Sequence, residues 1–262
     1  MSERNIVLEV DNLTMRFGGL TAVDRFCAQV QEGRIVGLIG PNGAGKTTCF
    51  NMITGFYKPS EGKVLFHGRD VTGYPPHKIC HEGIARTFQN IRLFKNETVL
   101  QNVMIGAHLR QKSPWWAIPF CLPSGAREER EVQEKSMELL RKVELHKVAY
   151  ENASSLPYGA QRRLEIARAL ATEPSFLLLD EPAAGMNPHE SRDLMDFIRR
   201  VREEFKLTVL LIEHDMKVVM GVCEHIWVLD YGVCIAEGNP EAIQSNPKVI
   251  EAYLGEEALE YA

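Results

Sequence analysis

An unbroken apolar run, Ile35-Val-Gly-Leu-Ile39, is followed at once by Gly40-Pro41-Asn42-Gly43-Ala44-Gly45-Lys46-Thr47-Thr48, and Lys46 to Thr54 then has the spacing of a helix. A run without polar alternation, bounded by glycines, reads as a strand buried on both faces. Between that strand and that helix the spacing G-x-x-x-x-G-K-[ST] is that of a phosphate-binding loop. Glycines let the backbone curl so that successive N–H groups point inward at phosphate oxygens, and the helix beginning at Gly45 aims its positive end at the same place. On this reading Lys46 reaches the β- and γ-phosphates, Thr47 ligates Mg²⁺ and Thr48 contacts the α-phosphate region. At ordinary glycine frequency a chance match is expected in about one chain of this length in a hundred, so the strand before and the helix after carry the assignment.

Phe176-Leu-Leu-Leu179 and Thr208-Val-Leu-Leu-Ile212 are two more buried-strand runs, and helical segments such as Ser191 to Glu204 lie between and after them. Buried strands alternating with helices mark an α/β domain with a mainly parallel sheet. Leu177-Leu-Leu-Asp180-Glu181 places two acids at a strand's carboxyl end, where such sheets hold ligands. There Asp180 would hold Mg²⁺, commonly through water, and Glu181 would polarise an attacking water. A strand often simply leaves into solvent through acids; the phosphate loop is what gives this pair its weight.

Upstream, Ile6 to Val10 and Phe26 to Val30 read as short strands joined through Gly18-Gly19, with a turn at Glu32-Gly33. In the middle of the chain, Glu128 to His146 and Arg162 to Ala171 carry apolar residues at helical spacing and read as a helical insert between two strands of the sheet. Gly106 to Ala126 holds Trp115, Trp116, Phe120 and three prolines without periodicity and reads as a long loop, the kind that tends to be functional. His225 to Leu229 and Val233 to Ala236 form a hairpin about Tyr231-Gly232, and Pro240 to Leu254 reads as a terminal helix broken or kinked at Asn246-Pro247.

Composition narrows the function classes. Thirty Lys and Arg against 35 Asp and Glu leave a formal charge of -5 on 262 residues, with no general excess of positive charge to hold a phosphodiester backbone, so nucleic-acid binding is not expected. A membrane-spanning helix needs roughly 17 to 25 apolar residues, and Trp115 to Pro123 is short and carries two prolines. Met1-Ser-Glu-Arg-Asn5 lacks the layout of a signal peptide, so the chain is expected to stay where it is made. Cysteines 27, 49, 80, 121, 223 and 234 include no C-x-x-C pair and read as free thiols of a reducing compartment.

With these motifs in order, the chain resembles the ATP-binding subunit of an ABC transporter over almost its whole length. The resemblance implies further roles. Phe17, in Arg16-Phe-Gly-Gly19, would stack on adenine; the bland alternative is a core aromatic. Gln89, in Arg86-Thr-Phe-Gln89, matches the family's glutamine loop, which contacts Mg²⁺ and the attacking water and faces a membrane subunit. His214, in Ile212-Glu-His-Asp215, matches the switch histidine that touches the γ-phosphate. The signature departs from the family pattern: Leu156-Pro157-Tyr158-Gly159-Ala160 stands where L-S-G-G-Q is usual. Pro157 has neither hydroxyl nor N–H, which leaves the helix end and the N–H groups of Tyr158, Gly159 and Ala160 to cap an ATP held by a partner chain. Ala184-Gly-Met-Asn187 likewise stands where S-A-L-D is usual.

Arg16-Phe-Gly-Gly-Leu20, Thr54-Gly-Phe-Tyr-Lys-Pro59, Arg162-Arg-Leu-Glu-Ile-Ala-Arg168, Glu181-Pro-Ala-Ala-Gly185, Glu213-His-Asp-Met216 and Asn246 to Gly255 are similar to one ATPase subunit of bacterial high-affinity importers of branched-chain amino acids. The resemblance implies a P-loop cassette of one domain over 1–255, with a core from 6–92 and 172–240 that includes an N-terminal antiparallel β part. It further implies a helical subdomain over about 93–171 carrying the 106–126 loop, a C-terminal helix over 241–255 and a tail over 256–262. It implies ATP and Mg²⁺, a head-to-tail pairing with a second ATP-binding subunit, two transmembrane permease subunits, an indirectly coupled substrate-binding protein, and a place on the cytoplasmic face of the inner membrane. The second cassette is expected to be a different chain, with an identical one as the alternative. A different importer, an exporter subunit or a soluble ABC ATPase are the rival readings. For Trp115-Trp116, contact with a membrane subunit or lipid interface and packing on the helical insert both stand.

Overall fold

A computed structural model describes residues 5–110 and 123–260; the Trp115-Trp116 reading falls outside them. The chain begins with a long hairpin, β1 (Ile6–Phe17) and β2 (Leu20–Gln31), turning at Gly18-Gly19, and continues through β3 (Ile35–Ile39) into α1 (Lys46–Ile53). Next come β4 (Glu61–Phe66), β5 (Arg69–Asp70), α2 (Pro76–Glu82) and β6 (Ile84–Arg86). Three helices follow, α3 (Val99–Ala107), α4 (Pro123–Lys142) and α5 (Tyr158–Leu170). The chain then runs through β7 (Phe176–Asp180), α6 (Pro188–Glu204), β8 (Thr208–Ile212), α7 (Met216–Val222), β9 (His225–Asp230) and β10 (Val233–Gly238), and closes with α8 (Pro240–Gln244) and α9 (Pro247–Glu260). Two compact units result, one from the residues up to Arg86 and from Ser175 onward, the other from Thr87 to Pro174.

The first unit holds two sheets. A six-stranded sheet in the order β10-β9-β3-β8-β7-β6 is parallel except for its β10 edge, and a four-stranded antiparallel sheet runs β2-β1-β4-β5. Every residue of β3, β7 and β8 is buried, as their unalternated sequences require. β2 alternates, with Val23, Phe26, Ala28 and Val30 turned in. These side chains share one core with Phe50, Met52 and Ile53 of α1 and Val36 and Leu38 of β3. The antiparallel hairpin is thereby packed against the helix that carries the phosphate loop.

β1 and β2 are each 12 residues, far longer than the expected 6–10 and 26–30. The register slips between Val10 and Leu13, where Asn12 has φ 49, and again between Leu13 and Met15, where Arg25 on the facing strand has φ 49. That irregularity resets the alternation, so periodicity ends at Val10 while pairing continues. β4, β5, β6, α2, α3 and α7 are not expected from the sequence pattern and appear only in the structure. α2 carried a legible signal, Pro76 at its first position and Gly83 as C-cap with φ 112.

In the second unit α3, α4 and α5 pack around Leu100, Val103, Leu139, Leu140, Val143, Leu164 and Ile166, all buried. α3 begins with a capping box in which Thr98 and Gln101 satisfy each other's backbone N–H groups. The described residues at both ends of the expected 106–126 loop are helical: α3 runs to Ala107, a 3₁₀ turn covers His108–Arg110, and α4 starts at Pro123. α4 ends at Lys142 rather than His146, because Glu144 adopts φ 64 and stops the helix. The terminal helix is two helices separated at Ser245-Asn246, with Asn239 capping the first. The second continues to Glu260, past the expected end at 255, through residues of good helix propensity with no breaker but Gly255. Among the described residues Cys27, Cys49, Cys80, Cys223 and Cys234 are free thiols.

Candidate functional site

In the first unit, the carboxyl ends of three neighbouring strands, β3, β8 and β7, meet at one edge of the sheet. The loop after β3 is Gly40 to Lys46. Two of its glycines are obligatory: a Cβ at Gly40 (φ 147) would fall 2.0 Å from the Leu229 carbonyl oxygen, and one at Gly45 (φ 101) would fall 2.5 Å from that of Ala22. The loop thus rests on the backbone of β9 and β2. It is also held by the β9–β10 turn, where Gly232 N–H donates to the Ala44 oxygen at 3.0 Å. Lys46 is buried, and its Nζ donates to the Gly40 and Pro41 oxygens at 2.6 and 2.7 Å. Pro41 and Ala44 are buried in the loop, whereas Asn42 and Gly43 form its exposed tip. Thr47 is exposed and Thr48 half-buried on the first turn of α1. A curled backbone, a lysine at its mouth and a helix start are a donor set suited to a polyphosphate.

Asp180 ends β7, and its Oδ2 accepts from Arg86 Nη2 at 2.7 Å, both side chains being nearly out of solvent. Arg86 ends the adjacent β6 and donates also to Asn51 Oδ1 on α1 (2.7 Å) and to Oγ1 of its C-cap Thr54 (3.1 Å). Its guanidinium lies 5.6 Å from the ring centres of both Phe50 and Phe56. One arginine therefore ties the helix of the phosphate loop to the acidic strand end, a contact the sequence did not reveal because its members are separated by 35 and 94 residues. Asp180 keeps Oδ1 for a second partner, and with the Thr47 hydroxyl this suits a hydrated divalent cation. Among the described residues no group of three or more His, Cys, Asp and Glu could hold a metal by protein ligands alone.

Glu181 stands one residue beyond the strand with φ 43, a left-handed conformation that side chains rarely adopt. Its N–H donates to the Ile212 oxygen at 3.0 Å, so β8 holds it there. His214, two residues beyond β8, brings Nδ1 to 3.6 Å from Glu181 Oε2. Between them Glu213 is buried and accepts the Ala183 N–H at 2.8 Å; burial pushes its carboxyl above the ordinary range, opposed by that hydrogen bond. Glu213 was not singled out in the sequence, yet it is the group that fixes the turn after Glu181. Phe17, at the end of β1, is 43% exposed and meets Tyr57 edge-on at 5.5 Å, so it is not a core aromatic.

Gln89, Tyr158, Gly159 and Ala160 belong to the second unit. Gln89 is exposed, and its carbonyl oxygen accepts from Arg162. Tyr158, Gly159 and Ala160 form the first turn of α5 behind Pro157, which supplies no side-chain cap.

Strand, glycine loop and helix, with acids on neighbouring strand ends, define a P-loop nucleoside triphosphatase. The family model described as "ABC transporter" matches residues 23–184, and a second, "Branched-chain amino acid ATP-binding cassette transporter", matches 233–258. The chain is 50% identical over 250 residues to the high-affinity branched-chain amino acid transport ATP-binding protein BraF of Pseudomonas aeruginosa, covering 95% of this chain and 98% of that protein. It is 46% identical to LivG of Escherichia coli, a protein of the same description, with the same coverage. Among solved structures it resembles the ADP conformation of an ATP-binding cassette of an ABC transporter, with TM-score 0.84 and 35% identity over 95% of this chain and 99% of that one. It also resembles a dimeric cassette in a post-hydrolysis state with ADP and phosphate, with TM-score 0.72 and 25% identity over 89% and 98%. The chain belongs to the ABC transporter family, among its branched-chain amino acid transport ATP-binding proteins, and is an ATPase that works within a transporter complex.

Removing Arg86 should leave the buried Asp180 carboxylate uncompensated. Arg86→Met is expected to cost about 3 to 5 kcal/mol of stability, measured by urea unfolding; a loss within the range of an exposed pair, about 1 kcal/mol or less, would show that Asp180 does not depend on it.

Proposed function

We propose that this chain is the motor subunit of a bacterial importer of branched-chain, hydrophobic amino acids, docked at the cytoplasmic face of the inner membrane. The observation that carries the catalytic part is the convergence of Gly40 to Thr48, Asp180, Glu181 and His214 on adjacent strand ends, with Glu181 3.6 Å from His214. The substrate class is supported by the BraF and LivG relatives and by the match over 233–258. Among the described residues no helix is long and apolar enough to cross a membrane, in keeping with a subunit that docks on permeases.

In this reading Phe17 stacks on adenine, and the N–H groups of Gly40 to Thr48 with the Lys46 ammonium bind the phosphates. Lys46 would exchange the Gly40 and Pro41 carbonyls for phosphate oxygens. When bound, Mg²⁺ would neutralise phosphate charge, held by Thr47, by Asp180 through water and by Gln89. Glu181, strained and directed by β8, orients and deprotonates the attacking water, and His214 donates to the γ-phosphate oxygen. Tyr158, Gly159 and Ala160 offer helix-end N–H groups to the ATP of a second cassette, which the dimeric relative supports. That second cassette is a different chain and the pair sits on two permeases, fed by a substrate-binding protein. Residues 6–92 and 172–240 act as the ATP-binding core and about 93–171 as the helical subdomain; the two compact units support this division.

Lys46→Ala should abolish most nucleotide affinity, read by titration with a fluorescent ATP analogue. Glu181→Gln should keep ATP binding and lower turnover by roughly 10² to 10⁴, about 3 to 5 kcal/mol of barrier; equal hydrolysis by the purified complex would remove Glu181 from its role. Cells lacking the chain should lose uptake of labelled leucine and regain it on complementation, and the chain should co-purify with multi-span membrane proteins. Normal leucine uptake with loss of another solute would move the assignment to a different transporter.

A further inference from the structure

The core of the second unit contains a charged pair that packing alone does not call for. The Arg162 side chain is 0% exposed and that of Glu165, one turn later on α5, is 2% exposed, with Arg162 Nη1 2.8 Å from Glu165 Oε2. Taking two ions out of water costs several kcal/mol each and is offset only when their remaining donors and acceptors are also used. Here Arg162 Nη1 and Nη2 and Glu165 Oε1 are used on the main chain of another segment, and Arg162 Nε is left without a hydrogen-bond partner among the described residues. Arg162 Nη1 donates to the Phe88 oxygen at 2.7 Å and Nη2 to the Gln89 oxygen at 2.8 Å, while Glu165 Oε1 accepts from Arg92 N–H at 3.2 Å. Nη2 also lies 3.4 Å from the Tyr158 hydroxyl, on the first turn of the same helix. Because these bonds grip backbone, they hold the course of the segment whatever its side chains do. Those side chains face outward: Gln89, Asn90 and Arg92 are exposed, and Phe94 is 49% exposed while its N–H is fixed by Asn102.

We propose that Arg162 and Glu165 form a latch that makes the backbone of residues 88–92 and the first turns of α5 one rigid piece, so that a permease pressing on the Gln89–Phe94 face moves Tyr158, Gly159 and Ala160 with it. The inference rests on the proposed function, in which the chain docks on permeases, and on the resemblance by which the Gln89 loop faces a membrane subunit. Arg162 and Glu165 are positioning residues, acting through the backbone they hold. Only a planar guanidinium spans two carbonyls and a carboxylate at once, which a lysine ammonium on the same stem does not reproduce. Mutations along a contiguous network of this kind modulate the coupling between two sites without touching either ligand.

The test uses the whole transporter, chain and partner cassette with permeases in liposomes. Arg162→Met combined with Glu165→Met removes both charges and keeps apolar volume, a replacement that leaves folded stability equal or higher. The expected result is unchanged ATP affinity, a thermal midpoint that is equal or higher, and unchanged co-purification of the permeases. Stimulation of ATP hydrolysis by substrate-loaded binding protein should fall by about tenfold, and amide exchange at residues 88–92 of the isolated chain should rise. Full stimulation in the assembled double variant overturns the latch. Should that variant unfold, Arg162→Lys, which keeps a buried cation beside Glu165, decides by the same readout. Failure of the unaltered chain to bind permeases, or binding unaffected by Gln89→Ala with Phe94→Ala, overturns the docking reading instead.

Discussion

Every residue of β3, β7 and β8 is buried, so a side chain carrying chemistry has no place along those strands without stranding a polar group in the core. The reactive groups are driven to the strand ends, and the parallel arrangement puts three such ends side by side. Phosphate loop, acidic pair and histidine are consequences of that burial. The same constraint explains why Gly40 and Gly45 must be glycines, because the loop has to lie directly on the backbone of β9 and β2 to start its helix on the sheet edge.

Asp180 is the charged exception to polar exclusion in β3, β7 and β8, a buried carboxylate at the last position of β7. Arg86 makes it tolerable, and because that arginine also holds Asn51 and Thr54, charge compensation doubles as a brace between α1 and the acidic strand. Glu181 is held differently, by a strained φ and a backbone bond to β8. One acid is neutralised and fixed; its neighbour stays accessible beside His214. In the second unit Arg162 and Glu165 repeat the first solution, burying a pair by spending its spare bonds on main chain.

The loop, β3, β7, β8 and the acids at the end of β7 were legible because each lies within a few residues of an unalternated apolar run, and local spacing is what sequence periodicity reports; His214 stood out only through the resemblance to the family. The N-terminal hairpin was only half legible, since the irregularity at Asn12 and Arg25 shifts the alternation without ending the strands. β6, three residues long, and β5, two, are too short to show any period. The C-terminal break at Asn246-Pro247 was readable, but the helix beyond it outran its expected end, because Gly255 alone does not stop a helix.

The sequence by itself determined the fold class and the phosphate-loop pattern and marked the two acids at a strand end, because these depend on local pattern and on side-chain chemistry, while His214 rests on the resemblance to the family. Only the tertiary structure decided what holds them. Arg86 reaches Asp180 across 94 residues, Gly232 supports Ala44, Glu213 anchors the turn after Glu181, and Arg162 grips backbone 73 residues away. Such partners are chosen by strand order and packing, which bring distant residues together and leave no periodic trace in the chain.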